Sequence, residues 1–324
     1  MSIQIISPGA LTTVQDYGRI GYGEIGLSPS GAVDTKAMEV ANCLVGNEMG
    51  EAVLECTLFG PTIYFIKDNV IAVTGADMKP KVNDKEISMN TAVSVKAGES
   101  LALAFAEKGC RSYIAFAGGL EIKEYFGSKS TNIKCAIGGY NGRALKANDE
   151  ILFVKPTSIL LDMEKRIYKH TDTDVLPKIK IIRVVMGPQD DYFTSEGLQT
   201  FETGSYKLTN DSDRMACKLS GPIIASKQAT DIISDGISLG SIQVSSSGQP
   251  MVMLSDRQTT GGYAKIGTVI STDIPRIAQC KPGDEIRFQR ITLKKAHKLY
   301  KKHNRDMIKL QKKFKRRNRG NYEL

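Results

Sequence analysis

Three short stretches gather groups that could bind an anion. The first is Thr12-Thr13-Val14-Gln15-Asp16-Tyr17-Gly18-Arg19, the second Ser212-Asp213-Arg214-Met215. The third is Ser255-Asp256-Arg257-Gln258-Thr259-Thr260-Gly261-Gly262-Tyr263. Each sets a carboxylate close to an arginine, whose planar fork of donors suits a carboxylate or a phosphate. Threonine hydroxyls and glycine N–H groups can add donors. Gly18 lets the backbone turn sharply, so Asp16 and Arg19 can reach one another. An equally simple role for each Asp–Arg pair is an ion pair that holds a turn. In the third stretch the donors exceed what a hairpin needs, which is only the glycines. That excess predicts an anion-facing loop, with Arg257 on the anion and Thr259 and Thr260 adding hydrogen bonds.

Other chemistries lack their residues. No G-x-x-x-x-G-K-[ST] phosphate loop and no H-E-x-x-H occurs. The three histidines are His170, His297 and His303, so a histidine-dependent metal or general-base site is not expected. The biotin-acceptor pattern A-M-K-M is absent; Ala76-Asp77-Met78-Lys79-Pro80 comes nearest. Acid–base work falls to Asp, Glu, Lys, Tyr or water. The six cysteines are scattered with no C-x-x-C, as in a reduced, cytoplasmic protein. No apolar run approaches the ~18 residues that span a bilayer. The N-terminus has no basic region followed by an apolar one, so no secretory signal is expected.

The elements that would position these stretches are mostly strands. With 324 residues, 41% of them hydrophobic, the chain can bury two cores. Val70–Thr74, Ala92–Val95, Leu101–Phe105, Tyr113–Ala117, Ile179–Val185 and Met251–Leu254 are short, apolar or β-branched, and mostly bounded by turn residues. One helix is expected in the body, capped by Asp34, with Ala37, Val40, Ala41 and Leu44 on one face and Gly46 at its end. A motif K-x-[GN]-[DE]-x-[IL] recurs at Lys96, Lys146 and Lys281 and reads as a turn that launches a strand. Gly-Gly-Tyr recurs at Gly138 and Gly261. The expected organisation is a first β domain over 1–155, a linker over 156–177, a second β domain over 178–290 and a helical tail over 291–324.

Charge is concentrated in that tail. Of the 44 Lys and Arg and 35 Asp and Glu, Ile291–Leu324 holds 13 and two. The first 290 residues keep 31 against 33, a net of −2, which gives no electrostatic footprint for nucleic acid. In the tail Ala296, Leu299, Met307, Leu310 and Phe314 recur at helical spacing, with His303 between them. A docked helix with solvated lysines is the first expectation; contact with an acidic partner or an anionic surface is the second.

The order of motifs resembles a known family. Thr12–Gly21, Gly31-Ala32 with Asp34, Ala41-Asn42, Leu44–Asn47, Leu54-Glu55 and Gly60-Pro61 open the resemblance. Val185–Gln189, Phe193, Ser212–Met215, Leu219 with Gly221-Pro222, Gly240–Val244, Asp256–Tyr263 and Lys265–Gly267 continue it. Together they resemble the biotin-dependent carboxyltransferase family of KipA/PxpC-like proteins. That family includes the C subunit of the bacterial ATP-dependent 5-oxoprolinase, and it is similar to the second half of the carboxyltransferase domain of urea carboxylase. Two departures stand out. Ala216, Cys217 and Lys218 replace the family's Gly, aromatic residue and Arg, and Ser245, Ser246 and Ser247 replace its prolines.

The resemblance implies a mainly β fold of two tandem cyclophilin-like β-barrels with a few short helices, here followed by a C-terminal helix. It implies a KipI/PxpB-like protein and a LamB/YcsF (PxpA)-like protein as partners, with no nucleic acid and no membrane. The implied reaction opens the lactam 5-oxoproline to glutamate with ATP hydrolysis, the carbonyl oxygen being phosphorylated first. ATP with Mg would be shared with a partner, and this chain would carry no covalent biotin and no metal site. Arg19, Arg214 and Arg257 would meet the substrate carboxylate or phosphate. Gln15, Gln243, Thr259 and Thr260 would meet the developing oxyanion, beside Gly261, Gly262 and Tyr263. Asp16 or Asp256 would orient an arginine or act as a base. Two other functions stay open: a carboxyltransferase component for a small amide, and a regulator that binds a KipI-like kinase inhibitor.

Overall fold

The computed structural model describes residues 2–155, 157, 159–169 and 179–319, with side chains as far as 315. Residues 156, 158 and 170–177 of the segment expected as a linker, including His170, lie outside the described residues, as do 320–324. The chain forms two compact units. They are not consecutive in sequence: the first holds 1–19, 30–174 and 304–324, the second 20–29 and 175–303. The short excursion 20–29 leaves the first half to join the second, which no composition shift in the sequence announces. Ser28 Oγ donates there to the carbonyl of Ser255 at 3.3 Å.

The first unit holds strands β1 (Ile3–Ser7), β2 (Leu11–Gln15), β3 (Val53–Thr57), β4 (Thr62–Phe65), β5 (Asn69–Asp77), β6 (Lys81–Val82), β7 (Lys85–Glu86), β8 (Ala92–Val95), β9 (Ser100–Ala102), β10 (Lys108–Phe116) and β11 (Glu150–Ile151). They make two antiparallel sheets, ordered β11-β1-β4-β9-β6-β7 and β2-β3-β10-β5-β8. Side chains alternate between the faces of the second sheet, as the two-residue period of a strand requires. Leu54, Cys56, Ile71, Val73, Ile114 and Phe116 face the core between the sheets, with Ile3, Ile5, Ile63 and Phe65 of the first sheet. Val53, Val70, Ala72, Tyr113 and Ala115 face the other way, into a second cluster with helix α1 (Thr35–Leu44). Asp34 Oδ1 caps α1 by accepting from the N–H of Ala37 at 2.9 Å, and Gly46 beyond its end has φ +81°.

The second unit holds β12 (Ile179–Met186), α2 (Ser195–Thr203), β13 (Tyr206–Leu208), β14 (Ala216–Ser220), β15 (Asp231–Gly236), β16 (Ser241–Val244), β17 (Pro250–Met253), β18 (Thr260–Tyr263), β19 (Lys265–Val269), α3 (Ile274–Ala278) and β20 (Glu285–Arg290). Seven strands close into a barrel in the order β12-β19-β16-β17-β14-β13-β20, sealed by the parallel pair β12–β20. Phe288 of β20 stacks on Phe201 of α2 at 4.6 Å between ring centres. Strands β15 and β18 pair only with each other, as a ribbon outside the barrel ladder. The architecture is thus mainly β, in two β-built units with short helices and a C-terminal helix, as expected.

The recurring motif is one turn used three times. The N–H groups of Glu99, Asp149 and Asp284 donate to the carbonyls of Lys96, Lys146 and Lys281 at 3.1, 3.2 and 3.0 Å. Each acidic side chain reaches back to the N–H of its lysine, at 2.8, 2.7 and 3.1 Å. Gly98, Asn148 and Gly283 sit at φ +89°, +70° and +89°, the third-position geometry of a type II turn. Strands β9, β11 and β20 follow directly.

Helix α4 (Leu293–Arg319) ends the described chain. Met307 and Phe314 are buried in the α1 cluster of the first unit, and Leu310 is packed against it. Ala296 and Leu299 are only half-buried, so the stripe expected from the sequence docks through its second half. Arg166, fully buried, donates to the carbonyls of Leu44 and Phe314 and lies 5.5 Å from the Phe314 ring centre.

Candidate functional site

In the first unit, Gln15, Asp16 and Arg19 converge on the segment Ser128–Thr131. Asp16 Oδ1 accepts from the hydroxyls of Ser128 and Ser130 and from the N–H of Gly18. Its Oδ2 accepts from the N–H of Lys129 at 2.6 Å. Arg19 is buried at 1% exposure and its Nη2 donates to the carbonyl of Ser130. Gln15 Nε2 donates to Thr13 Oγ1 and to the carbonyl of Thr131, while its Oε1 accepts from Gly31 N–H. Both Nε2 hydrogens are therefore used inside the protein. The glycines of Gly138-Gly139 explain themselves here. A Cβ on Gly138 would lie 2.1 Å from Arg19 Nη2 and from the Ser130 carbonyl, and one on Gly139 would lie 1.8 Å from Thr131 Oγ1. Within this unit the first stretch ties loops together rather than presenting a row of donors.

Buried Glu55 does similar work beside it. Its Oε2 accepts from Val33 N–H at 2.9 Å and from the Tyr113 hydroxyl at 2.8 Å. Burial, with Glu55 and Asp34 close by, holds the Tyr113 phenol well above its ordinary range.

In the second unit, the two remaining stretches meet across the barrel strands. Arg214 precedes β14 and Asp256 follows β17, and β14 pairs with β17. Arg214 Nε donates to Asp256 Oδ2 at 2.9 Å and Nη2 to Oδ1 at 3.2 Å. Their side chains are 6% and 12% exposed. Asp213 does not pair with its neighbour; its Oδ1 accepts from the N–H groups of Met215 and Ala216.

Arg257 is therefore set apart from Asp256. Its Nε donates to the carbonyl of Ile237 at 3.0 Å and its Nη1 to that of Leu254 at 3.2 Å. No ion pair joins it to a carboxylate among the described residues, and desolvation pulls it below the ordinary arginine value. A guanidinium held by two carbonyls keeps further N–H donors. Gln243, in β16, donates from Nε2 to the Tyr263 carbonyl at 3.3 Å and retains a second N–H. A Cβ on Gly261 would stand 3.4 Å from that Nε2 and 2.6 Å from Ile237 Cδ1. Ile237 thus links the parts: its side chain meets Gly261, its N–H donates to the Thr259 carbonyl, and its carbonyl takes Arg257. Thr259 is half-buried and Thr260 exposed.

Gly261 and Gly262 have ordinary strand backbone in β18. A Cβ on Gly262 would lie 2.8 Å from the Ile232 carbonyl, so this glycine permits close pairing with β15. Neither forms the positive-φ turn of a phosphate nest. Among the described residues, no group of three or more His, Cys, Asp or Glu could hold a metal ion.

Two residues of this neighbourhood were not singled out from the sequence. Lys265 is buried opposite Gln243 and donates from Nζ to Asp235 Oδ2 at 2.6 Å and to the Gly236 carbonyl at 3.2 Å. Gln189 Oε1 accepts from Lys265 N–H at 3.1 Å. The signal for Lys265 was a charge opening the mostly buried strand Lys265–Val269.

A closed seven-stranded β-barrel unit and a two-sheet β unit are the architecture of a carboxyltransferase domain, by their match to solved structures of that class. Residues 25–290 match the family Carboxyltransferase domain, subdomain A and B, and the chain belongs to it. It is 36% identical to the C subunit of Escherichia coli 5-oxoprolinase, over 91% of this chain and 93% of that protein. It is 34% identical to the urea amidolyase of Lachancea kluyveri over 92% of this chain, which is 17% of that much longer protein. Among solved structures, Kluyveromyces lactis urea carboxylase superposes with a TM-score of 0.87 at 29% identity. The match covers 95% of this chain and 29% of that one. Among the described residues, no helix is long and apolar enough to cross a membrane.

Proposed function

We propose that this chain is the PxpC-like component of an ATP-dependent 5-oxoprolinase, a cytoplasmic hydrolase assembled from several different chains. The observation that carries the reading is Arg257, a half-buried guanidinium with no carboxylate partner among the described residues. It occurs in a chain that matches the C subunit of a 5-oxoprolinase along nearly the whole of both proteins. Arg257 binds the carboxylate of 5-oxoproline. The second N–H of Gln243, with Thr259 and Thr260, meets the lactam carbonyl oxygen as charge develops on it. Arg214 and Asp256 act as positioning residues, because each satisfies the other and together they fix the loop that bears Arg257.

The lactam resists water until its carbonyl oxygen takes the terminal phosphoryl group of ATP. ADP leaves, water adds at that carbon, and the C–N bond breaks with a proton passing to the amine, which gives an acyl phosphate; a second water then displaces phosphate to yield glutamate. With no phosphate loop and no glycine nest on this chain's ribbon, ATP with its Mg is assigned to a KipI/PxpB-like partner or shared with it. A LamB/YcsF (PxpA)-like partner completes the assembly. The purified chain should show no 5-oxoproline-dependent ATP hydrolysis and should gain it on mixing with both partners. Robust turnover by the single chain would sink the reading.

The urea amidolyase and urea carboxylase relatives favour a second reading, a carboxyltransferase component that receives CO₂ from biotin carried on another protein. Carboxylation of a small amide by the complex, with no lactam opened, would select it.

A further inference from the structure

We infer that the outer face of α4 is a docking surface for an acidic protein helix. Lys294, Lys298, Lys301, Arg305, Lys309 and Lys312 follow one another along α4 at intervals of three or four residues. That spacing places all six on one helix face, over a length of about 27 Å. All six are exposed, and no ion pair joins any of them to a carboxylate among the described residues. The stripe is set by the helix alone. It lies beyond residues 25–290, the span that matches the family model.

The character of the stripe selects its partner. The face opposite it, at Met307, Leu310 and Phe314, is already taken up by the α1 cluster, so α4 has no free apolar face of its own there to bury in a lipid bilayer. Five of the six cations are lysines, which act as point charges, whereas recognition of phosphate geometry favours the arginine fork. No aromatic residue interrupts the stripe to stack on a base. The first 290 residues carry a net charge of −2, so the basic field comes from the C-terminal segment alone. A line of exposed cations one helical turn apart is complementary to a partner helix bearing Glu or Asp at the same three- and four-residue spacing.

The test uses the full chain and a fluorescent synthetic helical peptide with glutamates at alternating three- and four-residue intervals, read by anisotropy. A peptide of identical composition in scrambled order, a DNA duplex and vesicles containing phosphatidylserine are measured at the same salt. The striped peptide should bind most tightly, with an affinity that falls as salt rises. Lys294→Gln, Lys298→Gln, Lys301→Gln and Lys309→Gln together should weaken it about tenfold. Lys67→Gln, Lys85→Gln, Lys108→Gln and Lys146→Gln together, also at exposed positions, should leave it within a factor of about two. Circular dichroism of both variants should show unchanged helix content. Equal affinity for the scrambled peptide, tighter binding of duplex or vesicle, an equal loss in the second variant, or no binding at all would overturn the proposal.

Discussion

Arg214 and Asp256, separated by 42 residues, form a side-on ion pair with two hydrogen bonds of 2.9 and 3.2 Å. The pairing takes Asp256 away from its neighbour Arg257. One carboxylate cannot serve both guanidinium groups side-on, and β14 beside β17 brings Arg214 to it first. Arg257 is left on backbone carbonyls, which hold it in place without neutralising its charge.

The two roles separate by mutation. Asp256→Asn leaves a buried arginine without its counter-charge and should lower stability by about 3 kcal/mol. Arg257→Lys keeps the charge but loses the fork, so the melting temperature should hold. In the assembled complex its kcat/KM should fall about 10- to 100-fold, the worth of a lost charge-assisted bond. Melting temperature and activity measured on the same preparations read both effects. Full activity in a folded Arg257→Lys complex would remove Arg257 from the site.

The C-terminal helix should be held by its apolar side. Phe314→Ala should cost about 3 kcal/mol, because the ring is 1% exposed among the side chains of the α1 cluster. Leu310→Asp should also destabilise, since it sets a charge against that cluster. Lys312→Gln with Lys313→Gln should change the melting temperature little, both being exposed. Thermal melts that rank these changes in reverse would contradict the docking.

Gly138 should tolerate no side chain. It sits at φ +70°, and a Cβ there would lie 2.1 Å from the Ser130 carbonyl. Gly138→Ala should therefore cost more than the roughly 1 kcal/mol of a left-handed residue alone. Gly26→Ala is the control: its φ is +75°, but nothing lies within 4 Å of the added Cβ. Denaturant melts should show the larger loss at Gly138.

Thiol labelling should be selective. Burial, with carboxylates nearby, pushes the thiols of Cys43 and Cys56 up to about 12, so at pH 8 they stay protonated and unreactive. Five of the six cysteines are buried and Cys135 is exposed. Brief iodoacetamide treatment of the native protein should modify Cys135 alone by mass spectrometry. Denaturant should release the other five.

The local features were legible because they depend on neighbours in sequence. The cap at Asp34, the three Lys-initiated turns and the short apolar runs within β5 and β10 each follow from side-chain chemistry within a few residues. So did the helical stripe of the tail, although its periodicity could not show that only Met307, Leu310 and Phe314 would find a surface. The Asp–Arg dipeptides read differently. Adjacency suggested pairing within each dipeptide, but successive residues of an extended chain point apart, and the partner came from a distant strand.

The sequence by itself determined the family, the mainly β class, the turn positions and the basic tail, since ordered motifs and short-range periodicity carry that information. Only the tertiary structure decided which charges are spent on one another. Strand pairing put Arg214 on Asp256, loop closure spent Gln15, Asp16 and Arg19 on Ser128–Thr131 and Gly31, and the β16–β19 register placed Lys265 opposite Gln243. Those choices rest on contacts between residues far apart in the chain, where a difference of one residue in register turns a side chain to the other face.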